Sequence, residues 1–337
     1  MKIAIHYTEE AWSFSGRWVN YCRENDIPYK LVNAYDTDIV QQVDDCTAFM
    51  WHFSNYEHKD SLFAKQLIYS LEHKGLKVFP NFKTCWHFDD KVGQKYLLEA
   101  IGAPLVPSYV FYDKIEAMEW ANKTIFPKVF KLRGGSGSSN VKLVNTKKEA
   151  IHLINKAFGK GFSQFDSWNH LKFRYNNYKS GKEDFSGILK GIARLFIGTE
   201  YSKKHQREKG YVYFQDFIPN NKYDIRICIV GNKAFGLKRL IRKNDFRASG
   251  SGNIIYNKQE IDERCVQIAF NINEKIKAQS IAYDFVFDAN NNPLIIEISY
   301  GFDPNSYDIC EGYWTEDIQW HKGIFFNFCG WMVEAVK

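Results

Sequence analysis

Residues 281–299 read IAYDFVFDANNNPLIIEIS. Two apolar runs rich in β-branched and aromatic residues, Ile281–Phe287 and Leu294–Ser299, flank the turn cluster Asn290-Asn291-Asn292, the pattern of a β-hairpin. A four-residue loop over Ala289–Asn292 puts Asp288 opposite Pro293 and, further back, Asp284 opposite Glu297. Like charges facing across a strand pair cost stability unless a cation sits between them. Carboxylate oxygens suit Mg²⁺, which is usually held by one or two carboxylates together with substrate phosphates. Ser299 shares their face. Two exposed acids on a solvated hairpin are the plain alternative, and the apolar flanks weigh against it.

Upstream, Tyr223–Ile241 (YDIRICIVGNKAFGLKRLI) turns at Gly231-Asn232, a two-residue hairpin signal. Pairing outward from that turn sets Asp224 against Arg239. Alternation places Asp224, Arg226 and Arg239 on one face and Ile225, Ile227 and Ile229 on the other. Guanidiniums on a polar face with an apolar backing suit phosphate or carboxylate binding. A surface salt bridge is the plain alternative. Arg247, closing the run NDFR, adds a further fixed positive charge ahead of Ser249-Gly250-Ser251-Gly252.

Further upstream, Phe126–Val141 reads FPKVFKLRGGSGSSNV. Val129 and Lys131 share one strand face, Phe130 and Leu132 the other. The turn Gly134, Gly135, Ser136, Gly137 lets backbone N–H groups approach a phosphate, and the Lys131 ammonium adds charge. No G-K-[ST] follows, so this is not a Walker A loop. Taken alone, it is equally a flexible hairpin turn.

Strands and helices alternate through the first part of the chain in βαβ order, which predicts a small parallel-sheet domain over 1–85. A helix is expected to follow from Asp89, with Val92, Tyr96, Leu97, Ala100 and Ile101 on one face and Gly102 ending it. The expected domains are 1–85, 86–214 and 215–337. Within the second, residues 170–210 hold ten lysines and arginines against four acids, an excess equal to the whole chain's +6. That segment reads as an insertion, either a solvated charged face or a contact for an anionic substrate. The last forty residues are aromatic-rich, which suggests a packed closing element.

With 337 residues, 45% hydrophobic and 25% charged, and only 22 glycines and 8 prolines, the chain is neither disordered nor collagen-like. No apolar run is long enough for a membrane span, and MKIAIHY does not read as a signal peptide. Seven dispersed cysteines without a CxxC pair suggest reduced thiols and a cytoplasmic location. The mild net charge does not point to nucleic acid.

Together, and in this order, these stretches resemble the ATP-grasp superfamily, which includes D-alanine–D-alanine ligase, glutathione synthetase and the ribosomal-protein glutamate ligases. The resemblance covers roughly residues 1–300. It runs from Asp90-Lys91 through FPKVFKL, the Gly-rich loop, YFQDFIP (213–219), DIR (224–226), Arg239 and DFR (245–247) to AYDFVFD…PLIIEIS. It implies an α/β (α+β) ATP-grasp fold with an N-terminal Rossmann-like domain preceding it. Carried over, Lys91 and Lys131 hold the phosphates of ATP, with Gly134, Gly135, Ser136 and Gly137 closing over them. Gln215, Asp216, Phe217 and Ile218 hold adenine, and Asp224 joins the nucleotide-binding set. Asp284, Glu297 and Ser299 form the Mg²⁺ site, while Arg226, Arg239 and Arg247 steady the phosphoryl group and an anionic intermediate.

The chain departs from the family pattern in three places. Ser299 stands where an Asn is usual, Ala248-Ser249-Gly250 replaces the stretch with an Asn after DFR, and Gly137 and Gln215 are unusually far apart. The implied activity is ATP-dependent ligation, in which a carboxylate activated as an acylphosphate is joined to an amine. The resemblance extends to a subgroup linked with surface-polysaccharide biosynthesis, which implies an amino acid joined to a sugar or sugar nucleotide. The expected partners are small-molecule carboxylate and amine substrates, including anionic, phosphorylated or nucleotide-sugar ones, and a second copy in a homodimer. A small-molecule kinase on the same fold and a non-catalytic nucleotide-binding regulator are the alternatives.

Overall fold

The computed structural model describes the chain apart from residues 56, 135–139, 164–183, 185–206, 243, 244, 249 and 325. Gly135, Ser136, Gly137 and most of the basic segment therefore lie outside the described residues.

The first sheet is built from β1 (Ile3–His6), β2 (Tyr29–Val32), β3 (Ala48–Trp51) and β4 (Lys77–Phe79), interleaved with α1 (Ser15–Glu24), α2 (Ile39–Gln42) and α3 (His58–His73) and followed by α4 (Phe82–Cys85). Its order is β2-β1-β3-β4, and every pair is parallel. Strand β3 is apolar throughout and β1 is apolar except for His6, and both are buried on both faces, as a parallel sheet covered by helices requires.

Helix α5 (Lys91–Ala100) leads to the second sheet, formed by β5 (Ser108–Phe111), β6 (Lys128–Lys131), β7 (Lys142–Val144) and β8 (Val212–Asp216). Its order is β5-β8-β6-β7, all antiparallel. Helices α6 (Lys114–Lys123) and α7 (Lys147–Ala157) lie among these strands in the chain. Each begins at a side-chain cap: Asp113 accepts from the N–H groups of Ile115 and Glu116, and Thr146 from that of Glu149. Ala117, Ala121, Ala150 and Ile154 of the helices share one core with Phe130, Val144 and Phe214 of the strands.

The third sheet contains β9 (Tyr223–Val230), β10 (Lys233–Leu240), β11 (Ile254–Ile255), then, after helix α8 (Glu263–Ile276), β12 (Ser280–Phe287), β13 (Pro293–Ser299), β14 (Gly312–Thr315) and β15 (Trp320–Lys322), with α9 (Phe328–Glu334) closing the chain. The order is β13-β12-β9-β10-β14-β15, with β11 on β10. One face, carrying Ile225, Ile227, Ile229, Tyr283 and Phe285, packs on the apolar stripe of α8.

Compactness divides the chain differently from the expected 1–85, 86–214 and 215–337. One unit comprises Met1–Phe88, Gly93–Leu105 and Ile218–Lys337, the other Asp89–Val92 and Val106–Phe217. The reason is shared core. Trp18, Val19 and Cys22 of α1 and Ile3 and Ile5 of β1 join Phe235, Phe328 and Met332 in one apolar cluster. Helices α1 and α9 approach so closely that a Cβ at Gly330 would lie 2.5 Å from the Tyr21 ring. Likewise Leu98, with Leu97 and Ile101, packs into the core of the third sheet, so most of α5 belongs to that unit and not to 86–214.

Candidate active site

The acids of the third sheet meet as the hairpin reading requires, with one correction. Asp284 pairs with Glu297 and Ala282 with Ser299, but Phe287, not Asp288, faces Pro293. The loop holds five residues, and a bulge between Asp284 and Phe285 absorbs the extra one. Asp288 instead closes the loop, its carboxylate accepting from the N–H groups of Asn290 and Asn292 and its own N–H donating to Asn292 O at 3.0 Å. The bulge restores the alignment that sets Glu297 against Asp284, a use of bulges common beside active sites.

Strand β9 extends the row. Arg226 pairs with Asp284 on one side, and Asp224 pairs with Arg239 of β10. Their side chains form a closed network. Arg226 donates through Nε and Nη2 to the two oxygens of Asp284, at 2.5 and 2.6 Å. Arg239 donates in the same forked manner to Asp224, both at 2.7 Å, and its Nη2 lies 3.0 Å from Asp284 Oδ2. Asp224, Arg239 and Asp284 are buried. Burial pushes the Asp284 carboxyl up, but Arg226 and Arg239 outweigh it and hold the group well below the usual carboxylate range. Ser299 donates its hydroxyl hydrogen to Gly301 O at 2.7 Å. Arg247 forks onto Asp245, with Nη2 to Oδ2 at 2.6 Å. The guanidiniums expected to meet a phosphoryl group are thus also engaged with acids of their own chain.

In the other unit, Lys131 leaves β6 on the face opposite Phe130, and its ammonium donates to Gln215 Oε1 at 2.6 Å. Gln215 Nε2 lies 3.1 Å from Ser108 Oγ. Lys128 donates to Asp216 Oδ1 at 2.5 Å. Lys91 is buried, and its N–H donates to Arg133 O at 2.9 Å, while Arg133 Nη2 reaches Asp90 at 2.6 Å. Segment 89–92 is thereby tied to the end of β6, where a Cβ at Gly134 would lie 3.1 Å from Asp89 Oδ2. The quartet expected to hold adenine divides. Gln215 and Asp216 are sheet residues, with Asp216 N–H given to Pro107 O at 2.8 Å, whereas Phe217 and Ile218 follow the strand.

Sequence reading missed Ser108, Tyr213 and the Asp90–Arg133 pair. Nothing local marks Ser108: it meets Gln215 only because β5 pairs with β8, more than a hundred residues away. Asp90 was quoted, but only as the neighbour of Lys91. No cluster of three or more His, Cys, Asp or Glu side chains suited to a metal occurs among the described residues.

The third sheet thus presents paired acids and arginines, and the second, in the other unit, presents the buried lysines Lys128 and Lys131. Residues 194–306 match the model of the RimK-like ATP-grasp domain. Alpha-aminoadipate–LysW ligase LysX of Saccharolobus solfataricus is 21% identical over 277 residues, spanning 80% of this chain and 83% of the relative. Among solved structures, D-cycloserine synthetase DcsG aligns with a TM-score of 0.60 at 12% identity over all of both chains. A RimK domain ATP-grasp protein from Sphaerobacter thermophilus aligns at 0.57 and 12% identity, covering 100% of this chain and 99% of its own. D-alanine–D-alanine ligase from Bacillus anthracis, complexed with ATP, aligns at 0.55 and 12% identity over 91% of each. Residues 194–306 therefore carry a RimK-like ATP-grasp domain, and with the ligase relative they make the chain an ATP-dependent ligase of the carboxylate–amine kind.

Proposed function

We propose that the protein uses Mg·ATP to activate the carboxylate of an amino-acid-like substrate and joins it to an amine. The carboxylate oxygen attacks the γ-phosphorus, the bond to the β,γ-bridging oxygen breaks, and ADP leaves with that electron pair. The amine nitrogen then attacks the acyl carbon of the acylphosphate, expels orthophosphate, and loses a proton to give the amide. Such transfers depend on positioning and charge neutralisation more than on a protein nucleophile. Lys91 and Lys131 supply cationic charge for the triphosphate. Asp284 and Glu297, with the Ser299 hydroxyl, offer hard oxygen donors that fit Mg²⁺, which when bound would neutralise charge on the transferring phosphoryl group. Arg226 and Arg239 hold Asp284 ionised and aligned, and Arg247 is the remaining arginine proposed to face the acyl intermediate.

The observation that carries this reading is the pairing of Asp284 with Glu297 in a row continued by Arg226. The amino-acid class is suggested by the relatives, whose names specify alpha-aminoadipate, D-alanine and D-cycloserine. A sugar acceptor and a role in polysaccharide synthesis have no support from them. A homodimer remains part of the proposal, to be read by solution mass. The test is a screen of pooled amino acids with Mg·ATP. The ligase releases ADP and orthophosphate only when acid and amine are both present. Stable phosphorylation of one acceptor without an amine would instead mean a kinase.

A further inference from the structure

We propose that Ser108 is a positioning residue for Lys131, acting through the side-chain amide of Gln215; the proposal deepens the reading above, because it takes Lys131 to meet the triphosphate. The hydrogen positions follow from chemistry alone. An ammonium only donates, so the Gln215 atom 2.6 Å from Lys131 Nζ is the carbonyl oxygen. The amide nitrogen therefore points the other way and donates to Ser108 Oγ at 3.1 Å. The single Ser108 hydroxyl hydrogen goes to Val106 O at 2.8 Å, since a carbonyl only accepts. Both lone pairs of Ser108 Oγ thus accept, one from Gln215 and one from Tyr213 OH at 3.0 Å.

Rotating the Gln215 amide by half a turn fails at both ends. It would set an NH₂ group against an ammonium, and it would aim a carbonyl oxygen at a hydroxyl whose hydrogen is committed elsewhere. Ser108, Lys131 and Gln215 are all buried, so water does not readily replace the lost partners. The hydroxyl of Ser108, by accepting from the amide nitrogen, thus reinforces the orientation in which the Gln215 oxygen faces Lys131 and helps set where the ammonium rests. Sitting on a third strand, Ser108 does this without touching Lys131 itself.

The test compares Ser108→Ala and Ser108→Cys with Lys131→Met in calorimetric titrations against Mg·ATP and against adenosine. Alongside, the Lys131 Nζ resonance is followed by NMR in the nucleotide-free protein. Cys keeps most of the volume but accepts weakly, so it serves if the Ala variant fails to fold. The expected result is about a tenfold loss of Mg·ATP affinity for Ser108→Ala, the scale of one misplaced hydrogen bond to a charged group. The Cys variant should show a smaller loss in the same direction. Adenosine affinity falls by clearly less than Mg·ATP affinity, and the Nζ resonance shifts in both variants. An unmoved Nζ resonance overturns the proposal, and so does equal weakening of ATP and adenosine, which a merely structural role would give. If the resonance shifts but Lys131→Met leaves ATP affinity intact, the positioning stands and the phosphate role of Lys131 falls.

Discussion

At the residue scale, Glu297 and Asp284 face each other but differ in surroundings. Two guanidiniums clasp Asp284, whereas Glu297 is half-buried at the end of the row. Glu297→Gln keeps the shape and removes a charge that a cation would need, so Mg-dependent ADP release should fall by at least about a hundredfold, the scale of one lost electrostatic contact in phosphoryl transfer. Unfolding of the variant by urea should be close to that of the parent, and an unchanged rate of ADP release would remove the metal assignment. Arg239→Met has the opposite profile. It strands Asp224 and takes one of two cations from Asp284, and breaking a buried pair costs about 3–5 kcal/mol. The urea midpoint should drop accordingly. In the parent protein the depressed Asp284 group adds stability above the ordinary carboxylate range. That contribution is lost as the pH falls through the depressed folded value. The Arg239→Met protein should lose less stability on acidification, which paired urea titrations at neutral and acid pH would register.

At the scale of elements, alternation and turn residues made the hairpins of the third sheet legible. The β9–β10 hairpin pairs as its turn dictates, and Asp224 meets Arg239, and Asp284 Glu297, as expected. The bulge was not legible. A four-residue loop without a bulge and a five-residue loop with one place the same two acids together, so the pattern at the site could not distinguish them. Lys131 was readable from its strand, but its polar neighbours come from β5 and β8, distant in sequence. Two buried histidines lie in or beside the first sheet, and their hydrogen bonds show why they stay neutral. His52 Nδ1 accepts from Phe14 N–H at 3.0 Å, and His6 Nδ1 from Ala34 N–H at 2.9 Å. Burial lowers them to about 3 and about 4 respectively, from 6.5. An unfolded chain binds their protons first, so stability should fall as the pH drops from 6.5 toward 4. Asp60 opposes this. Burial raises it to about 6, so it favours the fold as the pH falls below that value. Two histidines against one carboxyl leave a net loss of roughly 3 kcal/mol, taking about two pKa units apiece. Unfolding midpoints that are flat between neutral pH and pH 5, or an imidazole NMR signal of charged His52 in the folded protein, would contradict this balance.

At the scale of the whole molecule, charge is concentrated where the sequence interrupts the second sheet. Residues 170–210 carry the entire excess of +6, and most of them lie outside the described residues. The two ends of the interruption are close together. Phe162 and Glu208 exchange both backbone hydrogen bonds, at 2.8 and 2.9 Å, and Arg207 reaches back to Lys160 O and Gly161 O. At Gly161 the backbone has φ +69 and a Cβ would sit 2.7 Å from Glu208 O, so glycine is needed for this closure. A segment whose flanking residues already meet can be shortened at modest entropic cost. Replacing 164–206 by a short Gly-Ser linker should therefore leave the thermal midpoint within a few degrees of the parent. Removing a basic segment should weaken an anionic acceptor through the loss of long-range attraction. Lys91 and Lys131, the cations proposed for the triphosphate, remain. We therefore expect Mg·ATP affinity to change by less than about threefold while the acceptor's KM rises about tenfold or more, a gap that salt should narrow because it screens the same attraction. Equal losses for nucleotide and acceptor, or an acceptor KM in the parent that ignores ionic strength, would show that this charge serves some purpose other than substrate capture.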